Sequence, residues 1–213
     1  MMSAALCGAV ACVLATGSVL AAGAQRERRD PPRQVTRIYW EMQQTTEVRV
    51  HLVPPRPDGA PARVDLTFQA FFPGRALRDW NTGQPQWPTG APARITVTAQ
   101  AFPLTFAIPE LSLRLVVDGS SIDLTAPGSR YRNIPCLIAS DGCAPNGVEA
   151  ELEPGVLRSL IAADTVRGLA LGFPIELTKA DRAALAEFAS RIGVSPDGRP
   201  RFLELMATLL AVG

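Results

Sequence analysis

Arg63-Val64-Asp65-Leu66-Thr67-Phe68-Gln69-Ala70-Phe71-Phe72 is the stretch that decides the fold of this chain. Val64, Leu66, Phe68, Ala70 and Phe72 alternate with Arg63, Asp65, Thr67 and Gln69. Successive side chains of a strand point to opposite faces, so this alternation reads as a strand with one face buried and one face wet. Four more segments repeat the pattern. Ile38, Trp40 and Met42 oppose Arg37, Tyr39 and Glu41. Val48, Val50 and Leu52 oppose Glu47, Arg49 and His51. Ile95, Val97, Ala99 and Ala101 oppose Arg94, Thr96, Thr98 and Gln100. Leu111, Leu113, Leu115 and Val117 oppose Ser112 and Arg114. In each, the apolar set is expected to face the core and the polar set to face water, as in antiparallel sheets. Asp118-Gly119-Ser120-Ser121 then turns the chain into Ile122-Asp123-Leu124, a hairpin.

The connections are rich in proline, at 54 to 61 and again at 73 to 92. Proline cannot donate to a sheet ladder, which places both stretches outside a central sheet. After Cys143 the character changes. Val148, Ala150 and Leu152 form a short strand. Pro154-Gly155 opens a helix with Val156, Leu157, Leu160 and Ile161 at helical spacing. Residues 166 to 177 read as a hairpin pivoting at Leu171-Gly172. Thr178-Lys179-Ala180-Asp181 resembles a capping box. The helix behind it carries Leu185, Phe188, Ala189 and Ile192 on one face and stops at Gly193. A last helix, about Arg201 to Leu210, presents Phe202, Leu205, Leu209 and Leu210. The expected class is α+β: an antiparallel β-sandwich-like body at 36–145, with a C-terminal helix–hairpin–helix part at 146–213 packed on it.

Residues 4 to 24 contain no charged side chain and end in Ala22-Gly23-Ala24. That layout, an apolar core followed by small-x-small, is that of a secretory signal peptide over residues 1–24. The arginines at 26, 28, 29 and 33 follow the apolar stretch instead of preceding it, so the competing layout is an uncleaved anchor. With cleavage, 189 residues remain, a disordered leader spans 25–35, and no membrane span is left. The expected location is the periplasm or the medium.

Two of the four cysteines, Cys7 and Cys12, leave with the apolar segment. Cys136 and Cys143 remain. An even pair in an exported chain reads as one disulfide, with Asp141-Gly142 supplying the turn.

The formal net charge is +1 and the arginines are scattered, which argues against nucleic acid as a partner. His51 is the only histidine. It sits on the polar side of its strand among Glu47 and Arg49, where solvation is its expected state, and any Ser-His-Asp or Cys-His device would have to use it. No His-Glu-x-x-His, Gly-x-Ser-x-Gly or phosphate-loop motif occurs, so no catalytic, metal or cofactor residue is assigned. Glu149, Glu151 and Glu153 read as the wet face of one strand.

The segment that most resembles a ligand platform is the loop with Trp80 and Trp87, where Arg78 and Asp79 flank the first ring. Tryptophan combines a broad apolar face with one N–H donor, which suits recognition. The competing role is structural, with both rings pinning a long loop to the body. These features lead to the expectation of a non-catalytic binding or structural module of the bacterial envelope. A carbohydrate-binding or carbohydrate-processing protein using the Trp80/Trp87 loop is the alternative. The expected partners are a glycan or an envelope protein.

Overall fold

The computed structural model describes residues 32–56, 58–74, 86–88, 90–102, 108, 110–135 and 146–195. Within them lie two antiparallel sheets and two helices, an α+β arrangement. The larger sheet joins β1 (Val35–Trp40), β2 (Thr45–Leu52), β3 (Arg63–Pro73) and β4 (Arg94–Phe102) as a meander. It is completed by β8 (Gly147–Glu151), paired to β4, and by the edge strand β7 (Tyr131–Ile134). The smaller sheet has the order β10 (Phe173–Glu176), β9 (Val166–Ala170), β5 (Leu113–Val117), β6 (Ser120–Asp123). Helix α1 (Pro154–Ala162) connects β8 to β9, and α2 (Lys179–Arg191) follows β10 and lies against β1 and β2.

Residues on both sides of position 145 therefore build the same sheets: β8 is inserted between β4 and β7, and β9 pairs with β5. One apolar core takes residues from both sheets and both helices. Val48, Val50, Phe68, Ala70 and Ala99 supply it from the larger sheet, and Leu113, Leu115 and Ala170 from the smaller. Leu160, Leu185 and Phe188 supply it from the helices. All these positions belong to the apolar sets read from the sequence, except Ala170, which falls in the expected hairpin.

Local chemistry sets the turns. Asp118 and Gly119 both take positive φ, as do Leu171 and Gly172, the pattern that matches a two-residue hairpin turn to strand twist. At the start of α2, the Thr178 hydroxyl accepts the Asp181 N–H at 3.2 Å. The Asp181 carboxylate accepts the Thr178 N–H at 2.9 Å, closing the capping box. At its end, Gly193 takes φ 75° and the Val194 N–H donates to the Ala189 carbonyl at 2.9 Å, a Schellman closure. The body begins at Val35. Just before it, the Arg33 N–H donates to the His51 carbonyl at 2.7 Å, and Arg33 Nε to Asp181 at 2.9 Å.

Two strands depart from expectation. β7 carries no alternation that a sequence reading detects, because its four residues lie at an exposed edge. In β1 the faces are exchanged. Residues opposite one another in an antiparallel pair share a face, and the register sets Arg37 against Val48 but Ile38 against Glu47. Arg37 therefore lies on the core side, and Ile38 and Trp40 on the polar side. The reason is tertiary: at the sheet margin the inward position meets the 86–88 segment, whose backbone carbonyl and indole ring suit a guanidinium. Arg37 donates to the Gln86 carbonyl and sits over the Trp87 ring. Burial there lowers its pKa. Met42, expected on the apolar side, lies in the following turn, fully exposed. Among the described residues no helix is long and apolar enough to cross a membrane.

Candidate functional site

Of the loop residues singled out in the sequence, Trp87 is described; Arg78, Asp79 and Trp80 lie outside the described residues. So do Cys136 and Cys143, residues 1–31 and the helix expected at 201–210. Trp87 is partly buried and packs on the core. The Arg191 guanidinium stands 4.7 Å from its ring centroid and that of Arg37 5.4 Å, so cations from α2 and β1 both engage the ring. Beside it runs a groove of about 1570 Å³ between the start of β4, the end of β8 and the end of α2. Its floor is apolar, with Ile95, Leu124, Leu152 and Ile192. Its rim carries both signs of charge, with Arg94, Arg158, Glu151 and Glu153.

The second feature is the polar face of the larger sheet. Its register brings together residues far apart in the chain. One row runs Thr36, Arg49, Gln69, Thr96, Glu151; the next runs His51, Thr67, Thr98, Glu149, Arg132. This face was expected to be simply wet, and it is not. Glu47 is 2 % exposed and Asp65 3 %; Thr96 and Glu149 are also buried. A buried carboxylate is tolerated only when paired and hydrogen-bonded, and each of these is. Glu47 accepts Trp40 Nε1 at 2.6 Å and Gln69 Nε2 at 2.8 Å, with Arg49 at 3.8 Å. Asp65 is gripped by Arg63 through a fork of 2.7 and 3.0 Å. Glu149 is held likewise by Arg132 at 3.1 and 2.9 Å, with Arg94 at 3.9 Å. That fork raises the Arg132 pKa, its hydrogen bond to Glu149 acting first and the charge of Glu149 second.

His51 is also corrected. It is not free in solvent: its side chain is 17 % exposed, its Nε2 lies 3.3 Å from Asp65 and its Nδ1 3.2 Å from the Thr67 hydroxyl. Thr67 lies directly across the β2–β3 ladder from His51. The Gln69 side-chain oxygen Oε1 accepts the Thr98 hydroxyl at 3.2 Å, which carries the network to β4. Of the three acids expected on the wet side of β8, Glu149 is buried, Glu151 half-buried and Glu153 exposed.

The network also fixes an aromatic ring. Trp40 remains 43 % exposed although its N–H is bonded to a buried carboxylate. The sequence reading missed it because alternation assigned Trp40 to the core; in the structure it stands opposite Thr45 on the polar face. Among the described residues no group of three or more His, Cys, Asp or Glu side chains is arranged to hold a metal ion. Set beside models of protein families, beside characterised proteins and beside solved structures, the chain matches none.

Proposed function

We propose that this protein is a non-catalytic binding module of the bacterial envelope, acting in the periplasm or outside the cell. In this reading residues 1–24 are removed on export and Cys136 pairs with Cys143. The two sheets, the smaller one completed by the β9–β10 hairpin, form a β-sandwich-like body with the helices packed on it, and ligand is bound on the polar face of the larger sheet. The observation that carries the reading is the cost of that face. Burying Glu47, Asp65 and Glu149 requires dedicated arginine and amide partners, and such buried pairs add little to stability over an apolar replacement. What they do supply is fixed side-chain geometry, the requirement of a recognition surface.

A second reading places a carbohydrate in the groove beside Trp87. Its volume, about 1570 Å³, exceeds the roughly 300–1,000 Å³ of small-molecule pockets and suits a longer ligand. Against it, the Trp87 ring is already engaged by Arg37 and Arg191.

Co-sedimentation of the purified protein with isolated cell envelopes separates the two. The wild type and the groove variant Val156→Arg are expected to sediment alike. Trp40→Ala, folded by its melting curve, is expected to lose at least about tenfold in affinity. Loss confined to Val156→Arg would favour the groove, and a wild type that stays in the supernatant would contradict both readings.

A further inference from the structure

We infer that the ligand of the polar face is a neutral glycan, seated with one sugar ring on Trp40 and running across the sheet toward Thr98; the inference rests on the reading of that face as the binding surface. The indole N–H of Trp40 is consumed by Glu47 at 2.6 Å. What the residue offers to a ligand is therefore its ring face, 43 % of the residue being open to solvent. A ring face attracts groups with a positive edge and a flat apolar surface, and the C–H face of a pyranose is both.

The groups next to the ring decide between ligands. Glu47 ties Trp40 to Gln69, and Gln69 in turn to Thr98. Hydroxyl, amide and guanidinium groups thus stand in fixed positions beside an aromatic surface. A lipid chain or an apolar peptide side chain would strip water from the hydrogen-bonding capacity these groups keep beyond their mutual bonds, at a penalty. Sugar hydroxyls both donate and accept, so they satisfy them. Thr98 on β4 lies three strands from Trp40 on β1 and six residues further along them, so the diagonal between the two is about 25 Å at roughly 4.8 Å per strand and 3.4 Å per residue, the length of a short oligosaccharide.

Charge narrows the choice further. Glu47, Asp65 and Glu149 each have an arginine within 4 Å. The face therefore presents matched pairs instead of a field of one sign. A polyanion or polycation would gain little there, whereas an uncharged ligand suits it.

Calorimetric titration of the full chain with neutral tetrasaccharides, chitotetraose and cellotetraose first, tests this. The expected result is saturable binding that changes less than about threefold between 50 and 500 mM salt. Affinity should fall at least tenfold in Trp40→Ala, be largely restored in Trp40→Phe, and fall in Thr98→Val, a near-isosteric change that removes only the hydroxyl. Binding that is confined to charged polysaccharides and collapses with salt would overturn the neutral-glycan inference. If no glycan binds while envelope sedimentation still depends on Trp40, the inference fails and the surface stands, with a protein as its ligand. If Trp40→Ala affects neither, the surface itself is wrong.

Discussion

Asp118 shows how a single residue can join parts of the chain far apart in sequence. It takes φ 46° in the β5–β6 turn, a left-handed conformation that aspartate tolerates better than most residues. Its carboxylate accepts the Thr165 N–H at 2.8 Å and the Asp164 N–H at 3.2 Å, which ties that turn to the segment between α1 and β9. These bonds, the one from Thr165 foremost, hold its pKa below the ordinary carboxylate value. A depressed carboxylate contributes stability that is present above its unfolded pKa of about 3.9 and is lost as pH falls through the folded value. Urea unfolding of the wild type and Asp118→Asn should therefore show the largest difference at neutral pH, shrinking as the solution is acidified below the carboxylate range. A difference that grows on acidification would contradict this assignment. Asp118-Gly119 was legible in the sequence as a turn. Its bonds to Asp164 and Thr165 were not, because nothing local links residues so far apart.

At the scale of elements, close approach of backbones limits the smaller sheet. A Cβ built on Gly168 would lie 2.1 Å from the Arg114 carbonyl oxygen, in the middle of the β5–β9 ladder. A strand backbone cannot yield as a side-chain tip can. Gly168→Ala is expected to destabilise by at least about 1–3 kcal/mol, the range for overpacked interiors. Gly155, in the first turn of α1, meets nothing closer than an arginine tip at 3.9 Å. Gly155→Ala should be neutral or stabilising by up to about 1 kcal/mol. Paired chemical-denaturation curves check both, and equal effects would contradict the steric account. Elements with an apolar stripe or a cap were legible: β2, β3, β4 and α2 fall where alternation and Thr178 place them. β1 was legible as a strand but not in its facing, since Arg37 is drawn inward by Gln86 and Trp87, half a hundred positions along the chain. β7 has no stripe, because three of its four residues are exposed and only Ile134 is partly buried.

Across the whole molecule, the two sheets turn one face each to a common core and leave two outer faces of different kind. The outer face of the smaller sheet shows Val116 and Leu169 among arginines, scattered apolar exposure of the ordinary sort. That of the larger sheet is a continuous hydrogen-bonded network from Trp40 to Thr98. Its members, Trp40 excepted, were visible in the sequence as the polar halves of alternating strands. Their assembly was not, because it depends on register, which sets Glu47 beside Phe71 and His51 beside Thr67. The loop with Trp87 drew attention in the sequence because tryptophan is conspicuous there, yet its ring is engaged within the protein.

The claim that the polar face of the larger sheet is the binding surface is tested most directly by amide chemical-shift mapping, with isotope-labelled protein titrated with a soluble extract of bacterial envelope. The account predicts that the largest shifts gather at Trp40, Glu47, Arg49, Gln69 and Thr98, while Val116 and Leu169 stay unmoved. Shifts gathered instead at Val156, Ile192 and Val194, around the groove, would contradict it.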